Sequence, residues 1–346
     1  MPSPAASTSF SAFAWNFSSL LNFRFLAGIG VGGEWGAGIV LFNEVWRSHG
    51  RGFGSALVQA MSSAGTIIAA FVATLCLTYL SADQSWRAAL LFGGLPMFLT
   101  IFVRAKMPES RLWTEYDRLR KLGALPADKA SEQASILEIF RGASLRYFIF
   151  GTLMCGAYII SFQAISIYMP TLMIRDLHAN PGVVLIVTVS WSCFSATGLL
   201  LTGAASDRFG RKTSVVATTL ICIFGYGMLY LFGRADYPGS IFFWPLFWCY
   251  ALWALGQGSI GMFGPWYSEL FPVELRSTGA SAAFNVGRLI GGAMPYVVPL
   301  IAAELHDLFK AMMFGVVGAT FSLLFALFLP ETVGRKFAVI EGKEYG

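Results

Sequence analysis

Three ionisable side chains lie well inside long apolar stretches of the sequence: Arg24, Glu34 and Arg288. A charge at the centre of a membrane helix costs about 2.5–3.5 kcal/mol on insertion scales, so each of these residues is a candidate for function. Arg288 lies about 11 residues into its stretch, about 17 Å at 1.5 Å per residue and thus near the middle of a bilayer. A guanidinium at this depth can bind a carboxylate through two parallel hydrogen bonds. We therefore expect an anionic substrate, with a structural ion pair as the alternative.

Glu34 is the acid among these three residues. Burial disfavours the charged form of a carboxyl group, so Glu34 could take up a proton on one side of a membrane and release it on the other. A buried structural acid is the alternative. Arg24 lies ten residues earlier, about 15 Å along the same helix, which is too far for a direct ion pair.

The composition indicates that these stretches lie in lipid. Of the 346 residues, 56% are hydrophobic and only 12% are charged, whereas soluble domains contain about 25% charged residues. The net charge of +5 does not indicate a nucleic-acid partner, because the lysines and arginines lie in short loops between apolar runs, where they set membrane topology. The five cysteines are not spaced as metal or redox pairs. We therefore expect no metal, no cofactor and no nucleic acid.

The apolar runs predict nine transmembrane helices, because each has the roughly 20 apolar residues that a bilayer requires. The runs lie near residues 17–42, 53–79, 86–104, 146–174, 183–205, 213–233, 240–266, 278–302 and 308–329. Eighteen of the 24 lysines and arginines fall in one set of connections and four in the other. Since cytoplasmic loops carry the excess of basic residues, we expect a protein integral to the cell membrane, with a cytoplasmic C-terminus and an N-terminus outside.

An internal repeat relates the two halves of the chain. A glutamate, an arginine and a glycine recur with the same spacing at an offset of 225 residues: Glu44, Arg51 and Gly54 correspond to Glu269, Arg276 and Gly279. Duplicated halves are common among transporters. The second half has six predicted helices, whereas the first has counterparts of only the last three. We therefore expect three helices, in roughly 80 residues, to be absent before the first residue.

The chain divides into four predicted segments. A partial N-terminal bundle of three helices occupies residues 1–106, a cytoplasmic linker 107–145, a complete six-helix bundle 146–330 and a cytoplasmic tail 331–346. Apolar residues in the linker predict short amphipathic helices on the membrane surface, with a plain mixed-charge linker as the alternative; these residues are Leu112, Tyr116, Leu119 and Leu122.

Several motifs resemble those of the major facilitator superfamily. Residues 203–212, GAASDRFGRK, resemble its charged loop G-x-x-x-D-R-x-G-R-K/R, and residues 24–32, RFLAGIGVG, resemble the R-x-x-x-G-x-G-x-G motif of its fourth helix. Residues 108–110 and 330–332, PES and PET, resemble the ends of its sixth and twelfth helices in the sugar-porter and metabolite–proton symporter branch. Residues 33–36, GEWG, are similar to bacterial members that carry metabolites and organic acids. The family pattern also includes three earlier helices and a first copy of the charged loop, which we expect to be absent before the first residue.

The resemblance implies an all-α membrane protein with the major facilitator fold and assigns roles to particular residues. Gly28, Gly32 and Gly36 recur every four residues, so another helix can approach closely along that stripe. The resemblance links Arg24 to proton coupling. It also implies that polar residues touch substrate or close an outer gate, although each could instead bond a helix carbonyl: Gln163, Tyr168, Gln257 and Asn285. An inner gate, closed when the protein faces outward, would comprise Glu44, Arg51, Asp207, Arg208, Arg211, Glu269 and Arg276.

These observations predict a proton-coupled symporter for a small organic anion, working as a monomer by alternating access and not as an enzyme. Its partners are then an anionic small molecule, protons and the lipid bilayer. One alternative is a transporter of a neutral sugar or another neutral metabolite. Another is a truncated remnant that does not transport. A receptor or a membrane enzyme is the third, although no nucleophile–base pair supports it.

Overall fold

The computed structural model describes residues 4–46, 50–98, 136–272 and 275–334, together with positions 102, 114, 118, 121 and 122. Within these residues the chain forms helices and no strands, as expected where lipid leaves backbone groups no other hydrogen-bond partner. The helices are α1 (Pro4–Phe10), α2 (Phe17–Val45), α3 (Arg51–Tyr79), α4 (Ala82–Phe92), α5 (Gly142–Ser166), α6 (Met169–Arg175), α7 (Pro181–Phe209), α8 (Arg211–Phe232), α9 (Pro245–Leu255), α10 (Ile260–Leu270), α11 (Arg276–Gly291), α12 (Met294–Leu305), α13 (Leu308–Met313) and α14 (Gly315–Leu327).

Polar residues fix where several helices begin. At the start of α2, Asn16 Oδ1 accepts a hydrogen bond from the Ser19 amide at 2.7 Å, and Ser19 Oγ accepts one from the Asn16 amide at 3.2 Å. This reciprocal arrangement satisfies amide groups that the first helical turn leaves without partners. At the start of α7, Asn180 Oδ1 accepts from the Val183 amide at 2.9 Å, and Pro181 occupies the first turn, where a missing N–H has no cost.

Six helical segments in the described part of the chain are long and apolar enough to cross a membrane. They are Arg51–Tyr79, Gly142–Arg175, Pro181–Phe209, Arg211–Phe232, Arg276–Leu305 and Leu308–Leu327. The count of nine is not confirmed and stays a prediction, as do the four segment boundaries and the three absent helices. Leu112, Tyr116, Leu119 and residues 335–346 lie outside the described residues, and Leu122 is exposed in a turn.

The run predicted as one span at 240–266 is interrupted. A 3-10 segment, Gly256–Ser259, separates α9 from α10. Side chains on its glycines would collide with neighbouring helices, because a Cβ at Gly256 would lie 2.5 Å from Cys222 Cα and one at Gly258 would lie 2.5 Å from the Gly198 carbonyl oxygen. Small residues thus let α7 and α8 approach the break closely.

The two halves of the chain meet where α2 and α3 of the first half pack against α7, α10 and α11 of the second. Helix α3 lies along α7, and α2 lies along α11. One hydrophobic cluster contains residues from both halves, including Ile39 and Ala56 from the first half and Met262 and Trp266 from the second. Within the second half, α5 packs against α11 and α14. At one end of the contact between the two halves, the ends of several helices carry charged residues and lie close together.

Candidate functional site

Glu269 is the centre of a buried charged cluster at the end of α10. Its carboxylate pairs with Arg51 at 3.3 Å and with Arg211 at 3.1 Å, and the carboxylate side chain is 1% exposed. Thr332 Oγ1 also donates a hydrogen bond to it at 2.6 Å. An uncompensated buried charge costs free energy, so removal of Glu269 would leave the two arginines buried without a full countercharge. The pairs join α3 of the first half to α8 and α10 of the second.

Asp207 connects the last turn of α7 to the beginning of α3. Its two carboxylate oxygens accept hydrogen bonds from the Gly52 amide at 2.8 Å and the Phe53 amide at 2.9 Å, groups that carry the positive end of the helix dipole. Arg211 also donates to Asp207 at 2.8 Å. A Cβ at Gly52 would lie 2.8 Å from the Asp207 carboxylate, so glycine is needed for this close approach.

The repeated residues pair reciprocally across the two halves. Arg51 of the first half binds Glu269 of the second, and Arg276 of the second binds Glu44 of the first at 3.1 Å. A further hydrogen bond joins Asn43 to Ser268 at 3.3 Å, which are also 225 residues apart. The halves are therefore related at this end by an approximate two-fold arrangement. We call the six residues Glu44, Arg51, Asp207, Arg211, Glu269 and Arg276 the charged cluster, and their end of the molecule the charged end.

A carboxylate four residues beyond α14 binds the first turn of α8 beside the charged cluster, and the sequence analysis did not identify this residue. Glu331 accepts hydrogen bonds from the backbone amides of Arg211 at 2.8 Å and Lys212 at 3.0 Å, the first two residues of α8. A carboxylate at a helix N-terminus is stabilised by unsatisfied amides and the helix dipole. The sequence signal that could have predicted this contact was the acid of the Pro-Glu-Thr run together with the two basic residues that begin α8.

Arg208 lies apart from the charged cluster, although it was predicted to belong to it. Its side chain is exposed, and its guanidinium carbon lies 5.3 Å from the centre of the Phe209 ring. No carboxylate in the described part of the chain pairs with it. Asp207, its neighbour in sequence, points the other way because its oxygens bind α3 and Arg211.

Helices α2 and α11 diverge away from the charged end. A Cβ at Gly36 would lie 2.5 Å from Ser281 Cβ, one at Gly32 would lie 3.4 Å from Asn285 Oδ1, and one at Gly28 would meet no atom within 4 Å. The glycine stripe is therefore a close contact at one end only. Between these levels, Trp35 stacks on Phe284 with ring centres 3.5 Å apart. The glycine face of α2 therefore meets open space beyond Gly32, and we call this space between the two helices the cleft.

Arg288 lies beside this cleft, one turn of α11 beyond Phe284. Its guanidinium carbon is 5.7 Å from the centre of the Phe284 ring, its side chain is exposed, and no carboxylate among the described residues pairs with it. Arg24, on α2, is likewise exposed and has no described ion-pair partner. Glu34 lies within α2, but its side chain is outside the described residues.

The four predicted polar residues occupy different surroundings. Asn285 Nδ2 donates to the Gly32 and Ser281 carbonyls, each at 2.9 Å, so it joins α2 to α11 beneath Arg288. Gln163 carries a buried Oε1 without a hydrogen-bond partner in the described residues. Gln257 is not brought to the cleft: it is 1% exposed inside the second half, where its amide donates to Cys222 Sγ at 3.2 Å.

Tyr168 lines a different cavity, of about 870 Å³, together with Arg175, Arg234 and Asp307. Its hydroxyl donates to the Pro295 carbonyl. We call the end of the molecule that carries Arg234, Asp307 and Lys310 the opposite end. Among the described residues, no three histidine, cysteine, aspartate or glutamate side chains form a group suited to a metal ion.

Known proteins share both this sequence pattern and this fold. A family model described as Major Facilitator Superfamily matches residues 4–295. The chain is 29% identical to a probable 4-methylmuconolactone transporter of Cupriavidus pinatubonensis, over 94% of this chain and 72% of that protein. It is 26% identical to the niacin transporter NiaP of Acinetobacter baylyi, over 95% of this chain and 76% of that protein.

Solved structures agree with the family match. The proton:xylose symporter XylE, with bound 6-bromo-6-deoxy-D-glucose, has a TM-score of 0.73 at 19% identity, over 96% of this chain and 80% of that one. The fucose:proton symporter FucP of E. coli has a TM-score of 0.65 at 16% identity, over 95% of this chain and 81% of that one. At these identities the likeness shows the fold alone. The family match covers most of the chain, and we conclude that the chain belongs to the Major Facilitator Superfamily of secondary transporters of metabolites.

Proposed function

We propose that this protein is a proton-coupled symporter of a small organic anion and works by alternating access. The observation that carries the anion assignment is Arg288, a guanidinium beside the cleft with no carboxylate partner among the described residues. A guanidinium without a counter-ion near the middle of a membrane-spanning segment costs free energy unless a ligand binds it. A carboxylate substrate supplies the missing charge through two parallel hydrogen bonds.

The proposed transport cycle uses the two ends of the α2–α11 contact differently. The charged cluster holds the two halves together at one end, while the cleft beside Gly28 is open at the other. We assign the charged end to the cytoplasm because of the excess of basic residues in the connections on that side. This arrangement is then an outward-open state, and parting of the charged cluster opens the path to the cytoplasm.

Relatives of this chain support the anion assignment. Two relatives that resemble it are the niacin transporter NiaP of Acinetobacter baylyi and the sialic acid transporter NanX of Escherichia coli, the latter 25% identical over 85% of this chain and 67% of that protein. Niacin and sialic acid both carry a carboxylate. The carboxylate shared by these two solutes, and an arginine without a carboxylate partner in the described part of the chain, together favour an anion over a neutral sugar.

Proton coupling is assigned to Glu34, with Arg24 as an assisting charge on the same helix. A carboxyl group in an apolar surrounding is readily held neutral. It can therefore bind a proton while the cleft is open and release it when the other end opens. A charged, unprotonated Glu34 disfavours passage through the closed intermediate, so movement of the proton and of the anion becomes linked.

The test is uptake by the purified chain in proteoliposomes, with a panel of carboxylates and neutral sugars, with and without an inward proton gradient. We expect carboxylate uptake that the gradient increases. Arg288→Gln should lower it by about 100-fold, because charge-assisted hydrogen bonds contribute about 1.5–3 kcal/mol each. The matched control is Arg141→Gln, which removes an exposed arginine beside α5 that does not line the cavity of Tyr168.

Glu34→Gln separates coupling from binding. We expect this variant to exchange substrate across the membrane at equal pH but not to accumulate it in response to the gradient. Carboxylate uptake that survived Arg288→Gln in full would overturn the anion assignment, and sugar uptake by the wild type would favour a neutral-metabolite transporter. A folded wild-type chain that moved no solute would favour a non-transporting remnant.

A further inference from the structure

An apolar groove runs along the outer surface between α7 and α8, near the charged end. Its lining includes Leu201, Ala205 and Phe209 of α7, Ala217 and Ile221 of α8, and Leu255 of α9. The groove has a volume of about 390 Å³. Because it opens sideways from helices long and apolar enough to cross a membrane, its natural surrounding is lipid. We call it the lateral groove.

The length of the lateral groove matches one leaflet of a bilayer. Along α7 it extends from Gly198 to Phe209, which is about 16 Å at 1.5 Å per residue. Half of a hydrocarbon core about 30 Å thick is about 15 Å. The apolar part of the groove can therefore accept one acyl chain over the full depth of the leaflet at the charged end.

Two polar groups lie where the headgroup and ester region of such a lipid would be. The exposed Arg208 guanidinium lies 5.3 Å from the ring of Phe209, which lines the lateral groove. One turn into α8, Ser214 also lines the groove; it is 4% exposed, and its Oγ has no hydrogen-bond partner among the described residues. A buried hydroxyl without a partner costs free energy, which a bound acceptor would recover.

The charge at the mouth of the lateral groove is positive and is not neutralised by the neighbouring acid. The Asp207 carboxylate is occupied by the amides of α3 and by Arg211. Lys212, the other nearby cation, donates to the Leu327 carbonyl at 2.6 Å. A negatively charged headgroup therefore finds one guanidinium available.

We propose that the lateral groove binds an anionic phospholipid, with one acyl chain between α7 and α8, the phosphate at Arg208 and an ester oxygen at Ser214. A zwitterionic phospholipid fits the apolar part equally well but brings an ammonium group to the same guanidinium. The site therefore distinguishes lipids by headgroup charge. This proposal is independent of the transported solute and of proton coupling.

The test is native mass spectrometry of the delipidated protein, titrated with dioleoyl phosphatidylglycerol and with dioleoyl phosphatidylethanolamine. We expect the wild type to bind one phosphatidylglycerol about 5-fold more tightly than phosphatidylethanolamine, the preference that one basic residue near an anionic headgroup provides, about 1 kcal/mol. Arg208→Gln should make the two affinities equal. The control is Arg141→Gln, which removes another exposed arginine, beside α5 and outside the groove.

A second pair of variants tests the acyl-chain position. Ile221→Trp fills the lateral groove and should weaken both lipids, whereas Leu220→Trp, on the adjacent exposed face of the same helix, should not. A phosphatidylglycerol preference that persisted in Arg208→Gln, or that was lost equally in Arg141→Gln, would overturn the proposal. If Ile221→Trp does not fold, the comparison of the two arginine variants still decides the outcome.

Discussion

The ion pairs at the two ends of the molecule differ in which parts of the chain they join. At the charged end, Arg51–Glu269 and Arg276–Glu44 join residues 218 and 232 positions apart in the sequence, and thus connect the two halves. At the opposite end, Arg234 and Lys310 both pair with Asp307, and all three residues belong to the second half. Among the described residues, ion pairs between the halves are confined to the charged end.

This difference shows where the contact between the halves is held by specific charges. The arginines and the glutamate of the Arg51–Glu269–Arg211 group are no more than 5% exposed, so parting the halves there must rehydrate them or give them new partners. The α2–α11 contact is already open beside Gly28. The two ends are therefore expected to respond very differently to the loss of one charge or one glycine.

The largest expected effect is that of Glu269→Gln. The variant keeps the shape of the side chain but leaves Arg51 and Arg211 buried with less countercharge, and breaking a buried pair in this way costs about 3–5 kcal/mol. We expect the charged end to open in most molecules, because about 3–5 kcal/mol changes the ratio of the two states by about 10² to 4 × 10³ at about 1.4 kcal/mol per factor of ten.

Spin labels provide the measurement for this variant. Val45 at the end of α2 and Leu327 at the end of α14 are both exposed and lie in different halves, in a background in which the exposed Cys193 is replaced by alanine. Glu269→Gln should lengthen the distance between the labels, and Glu304→Gln, which removes an exposed acid on α12, should leave it unchanged. Equal distances in all three proteins would show that Glu269 does not hold the two halves together.

The sequence predicted the location of the helices better than their continuity. The run predicted at 183–205 lies within α7, Pro181–Phe209, because apolar length is what a bilayer requires. The break at Gly256–Ser259 was missed. Hydropathy is averaged over about 19 residues, so it does not register a change of hydrogen-bond pattern over four. Two glycines two residues apart were the signal that could have found it.

The sequence also predicted which charges meet at the charged end better than how they pair. The repeat at 225 residues placed Glu44 and Arg51 in one half and their counterparts in the other, and reciprocal pairing follows if the halves are related by a two-fold axis. The orientation of Gln257 into the second half could not be predicted. It depends on the rotation of a short interrupted helix about its axis, which neither composition nor spacing determines.

An intermediate effect is expected from a pair of glycine substitutions on α2. Gly36→Ala places a methyl group against Ser281, whose Cα would be 3.0 Å away, and overpacking of this kind costs about 1–3 kcal/mol. Gly28→Ala meets no atom within 4 Å and should be neutral or slightly stabilising, because alanine favours a helix over glycine by about 1 kcal/mol. Thermal unfolding in detergent measures both. A larger loss of stability for Gly28→Ala than for Gly36→Ala would contradict the divergence of α2 and α11.

The smallest effect is expected at the opposite end, from Asp307. Burial raises the pKa of its carboxyl group, but the backbone hydrogen bond from Lys310 and the interaction with Arg234 lower it by more, so the pKa lies below its ordinary value of 3.8. A depressed pKa stabilises the folded protein above that value, and the contribution is lost as the pH falls through the folded-state pKa. The wild type should therefore lose stability relative to Asp307→Asn below about pH 4. The difference at pH 7 should be about 0–1 kcal/mol, because the Arg234 and Lys310 side chains are more than half exposed. Thermal unfolding from pH 3 to pH 7 measures this; a difference at pH 7 well above about 1 kcal/mol would contradict the assignment of a weak ion pair to the opposite end.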